Sequence, residues 1–195
     1  MKPEFQALNV RPLQRGARVR TPRRESERLT PGSPAIQLMT DFSIVPAATT
    51  AANVSAEEAD RSMAQRGVRS LIVLSEAGQV AGLITAAEVM GEAPLKVALA
   101  RQVRHDEVLV ADVMIAVGDI DVISYDVMKT ARIGDVIETL RRAGRQHALV
   151  AEAGPQGDEV RGIISLSRIA SELGIVIETL PVAHTFAEVE AALVR

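Results

Sequence analysis

Two hydroxyl-bearing residues, Thr85 and Ser165, stand where an apolar run passes into a predicted helix, and each has a charged residue three positions later. The first N–H groups of a helix lack partners and the helix dipole is positive there, so both positions favour an anion. Glu88 supplies a carboxylate, which accepts hydrogen bonds from neighbouring hydroxyl groups. Arg168 supplies donors and no acceptor, which suits a phosphate or a carboxylate. The chemistry of these four residues would suit an anionic or hydroxyl-bearing ligand.

The same residues have a purely structural interpretation. The spacing of Thr85 and Glu88 is that of a capping box, which stabilises a helix start by about 1 kcal/mol without any ligand. The alternative to a ligand contact at Ser165 is that it serves only as the N-cap of its helix. His147 precedes the predicted strand 148–151 and is either a fifth ligand contact or a packed, hydrogen-bonded strand residue. As a ligand contact it would make binding pH-sensitive near neutrality.

Catalytic and metal-binding signatures are absent from the sequence, and we expect no enzyme. The histidines are His105, His147 and His184, and none has the H-E-x-x-H spacing or stands beside a G-x-S-x-G elbow. No P-loop or G-x-G-x-x-G fingerprint occurs. Without cysteine, disulfides and thiolate ligands are excluded. Acidic residues at 119, 121 and 126 lack EF-hand spacing, so we expect no metal site.

An internal repeat organises the chain after residue 34. Residues 66–85 align with residues 143–165, and the second copy has three extra residues in a predicted loop. The aligned pairs are Gly67 with Gly144, Val73 with Val150, Val80 with Val160, Gly82 with Gly162, Ile84 with Ile164, and Thr85 with Ser165. An insertion confined to a turn is what a structural repeat tolerates.

Each copy predicts the same order of elements, β-α-β-β-α. Helices are expected over 56–66 and 133–143, each ended by a glycine that accepts the left-handed conformation. Two short apolar runs follow each helix and predict a β-hairpin, and a second helix begins at 86 or 166. Strands near 42–50 and 120–124 complete the units. Ser55 and Thr185 are each followed three residues later by a glutamate, so both predict capped helix starts.

These residues resemble a known family. Residues 55–89, SAEEADRSMAQRGVRSLIVLSEAGQVAGLITAAEV, resemble a CBS domain, and the stretch from ARIGDVIETLRRAGRQHALV to VRGIISLSRIA resembles its tandem partner. The resemblance covers about residues 36–174 and rests on consistent spacing and on the duplication. It implies an α/β (α+β) fold, a stand-alone bacterial CBS pair or Bateman module, with two units related by a pseudo-twofold axis.

The resemblance also implies a ligand and a site. Such pairs commonly sense adenosine-containing ligands in clefts between the units, and they usually dimerise into a flat disk. The family's Thr or Ser after the third strand contacts phosphate, and an Asp three residues later binds the ribose hydroxyls. Glu88 keeps the carboxylate on a longer side chain, whereas Arg168 cannot replace it. We expect no required cofactor, with an adenine nucleotide or S-adenosylmethionine as ligand, and His147 near the cleft.

Composition and charge complete the predicted organisation. Residues 1–30 hold eight Lys and Arg against three Glu, whereas the remainder is acidic. We expect a basic Pro/Arg-rich extension over 1–34, the two CBS domains over 35–104 and 105–174, and a C-terminal strand and helix over 175–195. No apolar run reaches the ~18 residues of a membrane span and no signal peptide is evident, so a cytoplasmic protein without membrane partners is expected.

Three functions compete at this stage. The first is a homodimeric ligand sensor, and the second is a ligand-free dimeric interaction or adaptor module with an unidentified protein partner. The third and weakest is a nucleic-acid-associated regulator that uses the basic arm. The 2% aromatic content argues against a base-stacking surface, so we expect no nucleic-acid partner.

Overall fold

The computed structural model describes residues 10–19 and 28–177. Its strands are β1 (Thr40–Asp41), β2 (Thr49–Ala51), β3 (Ser70–Leu74), β4 (Val80–Thr85), β5 (Ile115–Ala116), β6 (Val122–Ser124), β7 (His147–Gly154) and β8 (Gly157–Ser165). Its helices are α1 (Ala56–Arg66), α2 (Ala86–Met90), α3 (Ala93–Arg101), α4 (Val110–Val113), α5 (Tyr125–Thr130), α6 (Ile133–Arg142) and α7 (Leu166–Leu173). Short 3-10 turns lie at Ala35–Leu38, His105–Glu107 and Val117–Asp119.

The strands form two four-stranded sheets of equivalent topology, in the orders β2-β3-β4-β5 and β6-β7-β8-β1. In each sheet the strand before the long helix pairs in parallel with the strand after it, and the other pairs are antiparallel. A parallel pair needs a crossover, which α1 and α6 provide. The predicted β-α-β-β-α order is therefore confirmed in both copies.

The helix boundaries follow from local signals in the sequence. Ser55 accepts a hydrogen bond from the Glu58 backbone N–H at 3.2 Å, which satisfies one free donor at the start of α1. Gly67 ends α1 with a φ of 65°, in the left-handed region that glycine tolerates best. The prediction for 56–66 is confirmed, and the prediction for 133–143 is confirmed to within one residue.

Each unit has its own aliphatic core, and a third cluster joins the two sheets. Helix α6 contributes Ile133, Val136 and Leu140 to the second core, one face of an amphipathic helix. Between the sheets, Ile72, Leu83 and Leu149 are buried together. This central contact fixes how the two units are placed, and it therefore shapes the clefts on either side.

The two units exchange their first strands. Strand β1, from the first repeat, pairs with β8 of the second, and β5 pairs with β4 of the first. The apolar residues next to these strands are buried in the core of the other repeat, with Leu38 in the second core and Val113 in the first. A boundary at residue 104 therefore does not separate the two sheets, because the two shortest strands, β1 and β5, pair with strands of the other repeat.

Arg161 holds the exchanged strand β1 in place. Its Nε and Nη2 donate to the Asp41 carboxylate at 2.9 and 3.2 Å, and its Nη1 donates to Glu152 at 3.0 Å. The guanidinium also lies 4.8 Å from the centre of the Tyr125 ring. The hydrogen bonds from Arg161 and Ser43 lower the pKa of Asp41 below its ordinary value. This network joins residues 120 positions apart.

The end of the extension expected over 1–34 contacts the folded body. Residues 30–34 dock on the second unit. Backbone N–H groups of Ile133 and Gly134 donate to Ser33 and Pro31. The helix predicted from Thr185 lies outside the described residues, as do residues 1–9 and 20–27 of the basic arm. Within the described ranges, no helix has the length and apolar character needed to span a bilayer.

Candidate functional site

A large open cleft lies between the two units, with a volume of about 1110 Å³ including its mouth. The first repeat supplies residues that precede β2 and the segment from Gly67 into β3. The second repeat supplies β8, the start of α7 and His147. The lining consists of Thr40, Phe42, Val45, Pro46, Ala48, Gly67, Val68, Arg69, Ser70, Ile72, His147, Ile163, Ser165, Ser167 and Arg168. We call it the larger cleft.

Ser165 and Arg168 occupy one wall of the larger cleft. Ser165 caps α7, since its Oγ accepts the Arg168 backbone N–H at 3.2 Å. The Arg168 guanidinium reaches the exchanged strand and donates from Nη1 to Thr40 Oγ1 at 3.1 Å. A neighbouring hydroxyl, on Ser167, lies 3.3 Å from Ser165 Oγ. This wall presents a cation and three hydroxyl groups to the cleft.

His147 stands between two cavities. It is paired with Ser165 across β7 and β8, and it lines both the larger cleft and a smaller one. Burial, and to a smaller extent the positive charge of Arg69, lower its pKa to about 4. The imidazole is therefore neutral at physiological pH, with one nitrogen able to donate and the other to accept.

The smaller cleft has a volume of about 530 Å³ and a more apolar lining. It occupies the pseudosymmetric position, because its residues Leu83, His147 and Leu149 are the repeat equivalents of Ile163, Ser70 and Ile72 in the larger cleft. The lining consists of Leu83, Ile115, Asp119, Ile120, Asp121, Val122, Ile123, Thr139, Leu140, Ala143, Arg145, His147, Ala148 and Leu149. Its charged residues include two carboxylates, unlike those of the larger cleft.

Thr85 and Glu88 are engaged with each other and line neither of these clefts. The Thr85 backbone N–H donates to the Glu88 carboxylate at 3.1 Å, and the Thr85 hydroxyl donates to the same oxygen. Thr85 Oγ1 in turn accepts the Ala87 N–H at 3.2 Å. Both halves of a capping box are present, and Thr85 is only 6% exposed. This geometry supports the structural interpretation of the pair.

Comparison with known proteins identifies the fold. Residues 35–95 match the CBS domain family model. The structure is similar to an uncharacterized conserved protein from Pyrococcus horikoshii, with 20% identity and a TM-score of 0.54 over 77% of this chain and 99% of that one. The chain contains a CBS domain and has the CBS-pair fold. No curated protein matches the sequence significantly.

Two further neighbours of this CBS pair were solved with ligands. CBSX2 in complex with AMP is 14% identical, with a TM-score of 0.51 over 72% of this chain and 95% of that one. A CBS domain pair in complex with 5′-methylthioadenosine and S-adenosyl-L-methionine is 16% identical, with a TM-score of 0.51 over 73% and 96%. These likenesses concern the fold. The predicted fold class, two CBS-type units in tandem, is confirmed.

Several lining residues of this CBS pair were missed by reasoning on the sequence. Arg69 and Thr40 are the main examples, and Ser70 is a third. The repeat carried a signal for one of them, because Ser70 is the counterpart of His147, as their equivalent pairings with Thr85 and Ser165 show. Thr40 could not be found in this way, since it reaches the cleft only through strand exchange.

Proposed function

We propose that this protein is a non-catalytic, cytoplasmic regulatory module that binds an adenosine-containing ligand in the larger cleft and acts as a homodimer. The observation that carries the proposal is the lining of the cleft, which combines apolar residues with arginines and hydroxyl-bearing residues. An adenine nucleotide combines the matching groups, a flat base and phosphate.

The apolar part suits the base. It comes from both units, so a base bound there would contact both, and each Å² of apolar surface removed from water contributes about 25 cal/mol. The residues concerned are Phe42, Val45, Pro46, Val68, Ile72 and Ile163. The polar part has two arginines and four hydroxyl groups, which are the groups that bind phosphate oxygens in proteins.

The position of the cleft between the units supports a regulatory role. A ligand that contacts both walls binds one relative placement of the units better than another, and it therefore shifts their equilibrium. The structural neighbours with bound AMP and with S-adenosyl-L-methionine lend support to an adenosine-containing ligand. We propose that a partner protein senses this shift.

The first test is thermal unfolding of the full chain with AMP, ADP, ATP, S-adenosylmethionine or NAD at millimolar concentration. At 100 times its Kd, a ligand should stabilise the fold by about 2.7 kcal/mol and raise Tm accordingly. Val45→Asp should abolish the rise by placing a charge among the apolar residues of the cleft. Val127→Asp on α5, which is also exposed but lies outside the cleft, should not. No rise with any of the five would contradict the proposal.

A second candidate function, the ligand-free dimeric adaptor, is favoured by an apolar surface on α2 and α3. Met90, Leu95 and Leu99 are 65%, 56% and 70% exposed there. A second copy of the chain would cover such a surface, which is why the homodimer belongs to both candidates. Light scattering of the Leu95→Glu/Leu99→Glu variant tests this contact, and partner capture insensitive to nucleotides would favour the adaptor.

A further inference from the structure

Two arginines line the larger cleft, and neither has a carboxylate partner among the described residues. Arg69 follows α1 in the first repeat, and Arg168 lies on α7 in the second. The structure shows no ion pair for either among the described residues, and Arg168 is held only by the Thr40 hydroxyl. Five arginines elsewhere in the described residues do pair with a carboxylate; these are Arg61, Arg101, Arg104, Arg142 and Arg161.

The same cleft has no carboxylate among the described residues that line it. Its remaining polar side chains are neutral, since the hydroxyls of Thr40, Ser70, Ser165 and Ser167 carry no charge. His147 is uncharged at physiological pH because its pKa is about 4. The lining therefore carries positive charge on two sides and no group that would accept strongly from a pair of vicinal hydroxyls.

We propose that the larger cleft selects its ligand by the phosphate groups, takes a nucleoside di- or triphosphate, and does not distinguish ribose from deoxyribose. This inference rests on the proposed function and specifies its ligand class. Arg69 and Arg168 come from different units of the cleft, and each guanidinium binds phosphate oxygens. A ligand with two or more phosphoryl groups offers each arginine an anionic group of its own.

The charge pattern also excludes ligands. S-adenosylmethionine carries a net positive charge, because its sulfonium and ammonium groups outweigh its carboxylate, and the two guanidinium groups therefore disfavour it. Adenosine and 5′-methylthioadenosine are neutral and leave both arginines without an anionic partner. We therefore expect these compounds to bind weakly in the larger cleft and ADP and ATP to bind more tightly.

Calorimetric titration of the full chain tests the selection directly. ATP and 2′-deoxy-ATP should bind with Kd values within about twofold of each other, since no group reads the 2′-hydroxyl. AMP, adenosine and S-adenosylmethionine should each bind at least about tenfold more weakly than ATP, the loss expected for one charged hydrogen-bonding partner. Inorganic tripolyphosphate should compete with ATP. A tenfold preference for ATP over 2′-deoxy-ATP, or adenosine binding as tightly as ATP, would overturn the inference.

Variants of the two arginines give a second, independent readout. Arg69→Gln and Arg168→Gln should each weaken ATP about tenfold or more and leave adenosine unchanged, whereas Arg168→Lys should retain part of the ATP affinity. Arg141→Gln on α6 removes an exposed charge outside the cleft and serves as the matched control. Equal losses for ATP and adenosine would contradict selection by phosphate.

The outcomes separate the inference from the proposed function. Tight adenosine binding without a gain from phosphate would leave the adenosine sensor standing and overturn the phosphate selection. If tripolyphosphate binds as tightly as ATP and adenosine does not bind, the phosphate selection would stand and the adenosine sensor would be overturned. Absence of binding by ATP, adenosine and tripolyphosphate alike would overturn both.

Discussion

At the scale of single residues, equivalent positions of the two repeats have taken different roles. Thr85 and Glu88 close a capping box on each other, and both are occupied by that task. Ser165 also caps its helix, but its partner position holds Arg168, whose guanidinium faces the larger cleft and reaches Thr40. A capping carboxylate must lie over its own helix start, whereas arginine has no acceptor and extends away from it. Because position 168 holds arginine where the first repeat has Glu88, its side chain is available to line the larger cleft.

Glu88→Ala should lower the free energy of unfolding by about 1 kcal/mol, because the Thr85 N–H loses its acceptor. It should leave nucleotide affinity in the larger cleft unchanged, since Glu88 does not line it. Urea denaturation and calorimetric titration measure the two effects. Glu88→Gln, which keeps an acceptor at the same reach, is the control and should cost less. If the loss of nucleotide binding free energy exceeded the loss of unfolding free energy, Glu88 would have to contact the ligand.

The burial of the His147 imidazole makes the free energy of unfolding depend on pH. Its folded pKa is about 4 against an ordinary 6.5, so the unfolded chain binds more protons between those values. The stabilisation is complete above pH 6.5 and is lost as pH falls towards 4, by roughly 2–3 kcal/mol between pH 7 and 4.5. The lowered pKa of Asp41 acts only below its ordinary 3.8, outside this window.

His147→Gln should remove that loss, and urea denaturation at several pH values between 4.5 and 7 measures it. The matched control is His105→Gln, which replaces an exposed histidine and should leave the pH dependence intact. An unchanged slope in the His147 variant would show that its imidazole is not the titrating group.

At the scale of elements, the exchanged strands explain the glycines shared by both repeats. Gly162 lies opposite β1 and Gly82 lies opposite β5 in the registers of the two sheets. A Cβ at Gly162 would lie 2.5 Å from the Thr40 carbonyl oxygen, and one at Gly82 would lie 2.6 Å from the Ile115 carbonyl oxygen. The backbone of the incoming strand occupies the space that any side chain would need.

Gly162→Ala should therefore destabilise the fold by about 1–3 kcal/mol, because backbone on one side must move to admit the methyl group. Gly118→Ala is the matched control, since no atom lies within 4 Å of its added Cβ. It should change the free energy of unfolding by less than about 0.5 kcal/mol. Chemical denaturation measures the free energy of unfolding of both variants. Equal values would show that the backbone of β1 does not lie against Gly162.

At the scale of the whole molecule, the exchange makes the two units depend on each other. The second sheet includes β1 and the second core includes Leu38, both from the first repeat. The first sheet and core gain β5 and Val113 from the second repeat. The central cluster of Ile72, Leu83 and Leu149 adds a third contact. The larger cleft exists only when all of these are formed.

Cutting the chain between residues 104 and 105 should leave two fragments that do not fold cooperatively alone, because each lacks a strand and part of its core. Mixing fragments 1–104 and 105–195 should restore a cooperative urea transition monitored by circular dichroism, while the intact chain should unfold in a single transition. Cooperative unfolding of either isolated fragment with most of the parent stability would show that the exchanged strands are dispensable.

The sequence by itself determined the duplication, the order of elements and the helix boundaries, because these depend on local periodicity and on caps such as Ser55 and Gly67. It also singled out Ser165, Arg168 and His147, which line the larger cleft. Local signals of this kind act within a few residues of the chain.

Only the tertiary structure decided the strand exchange and the composition of the cleft. Strands β1 and β5 have two residues each, too few to show a period, and their partners lie more than thirty residues away. Arg69 carries no local signal that distinguishes it from a solvated surface charge. Its role in the proposal comes from lining the same cleft as Arg168, without a carboxylate beside them, and this depends on how the two units pack together.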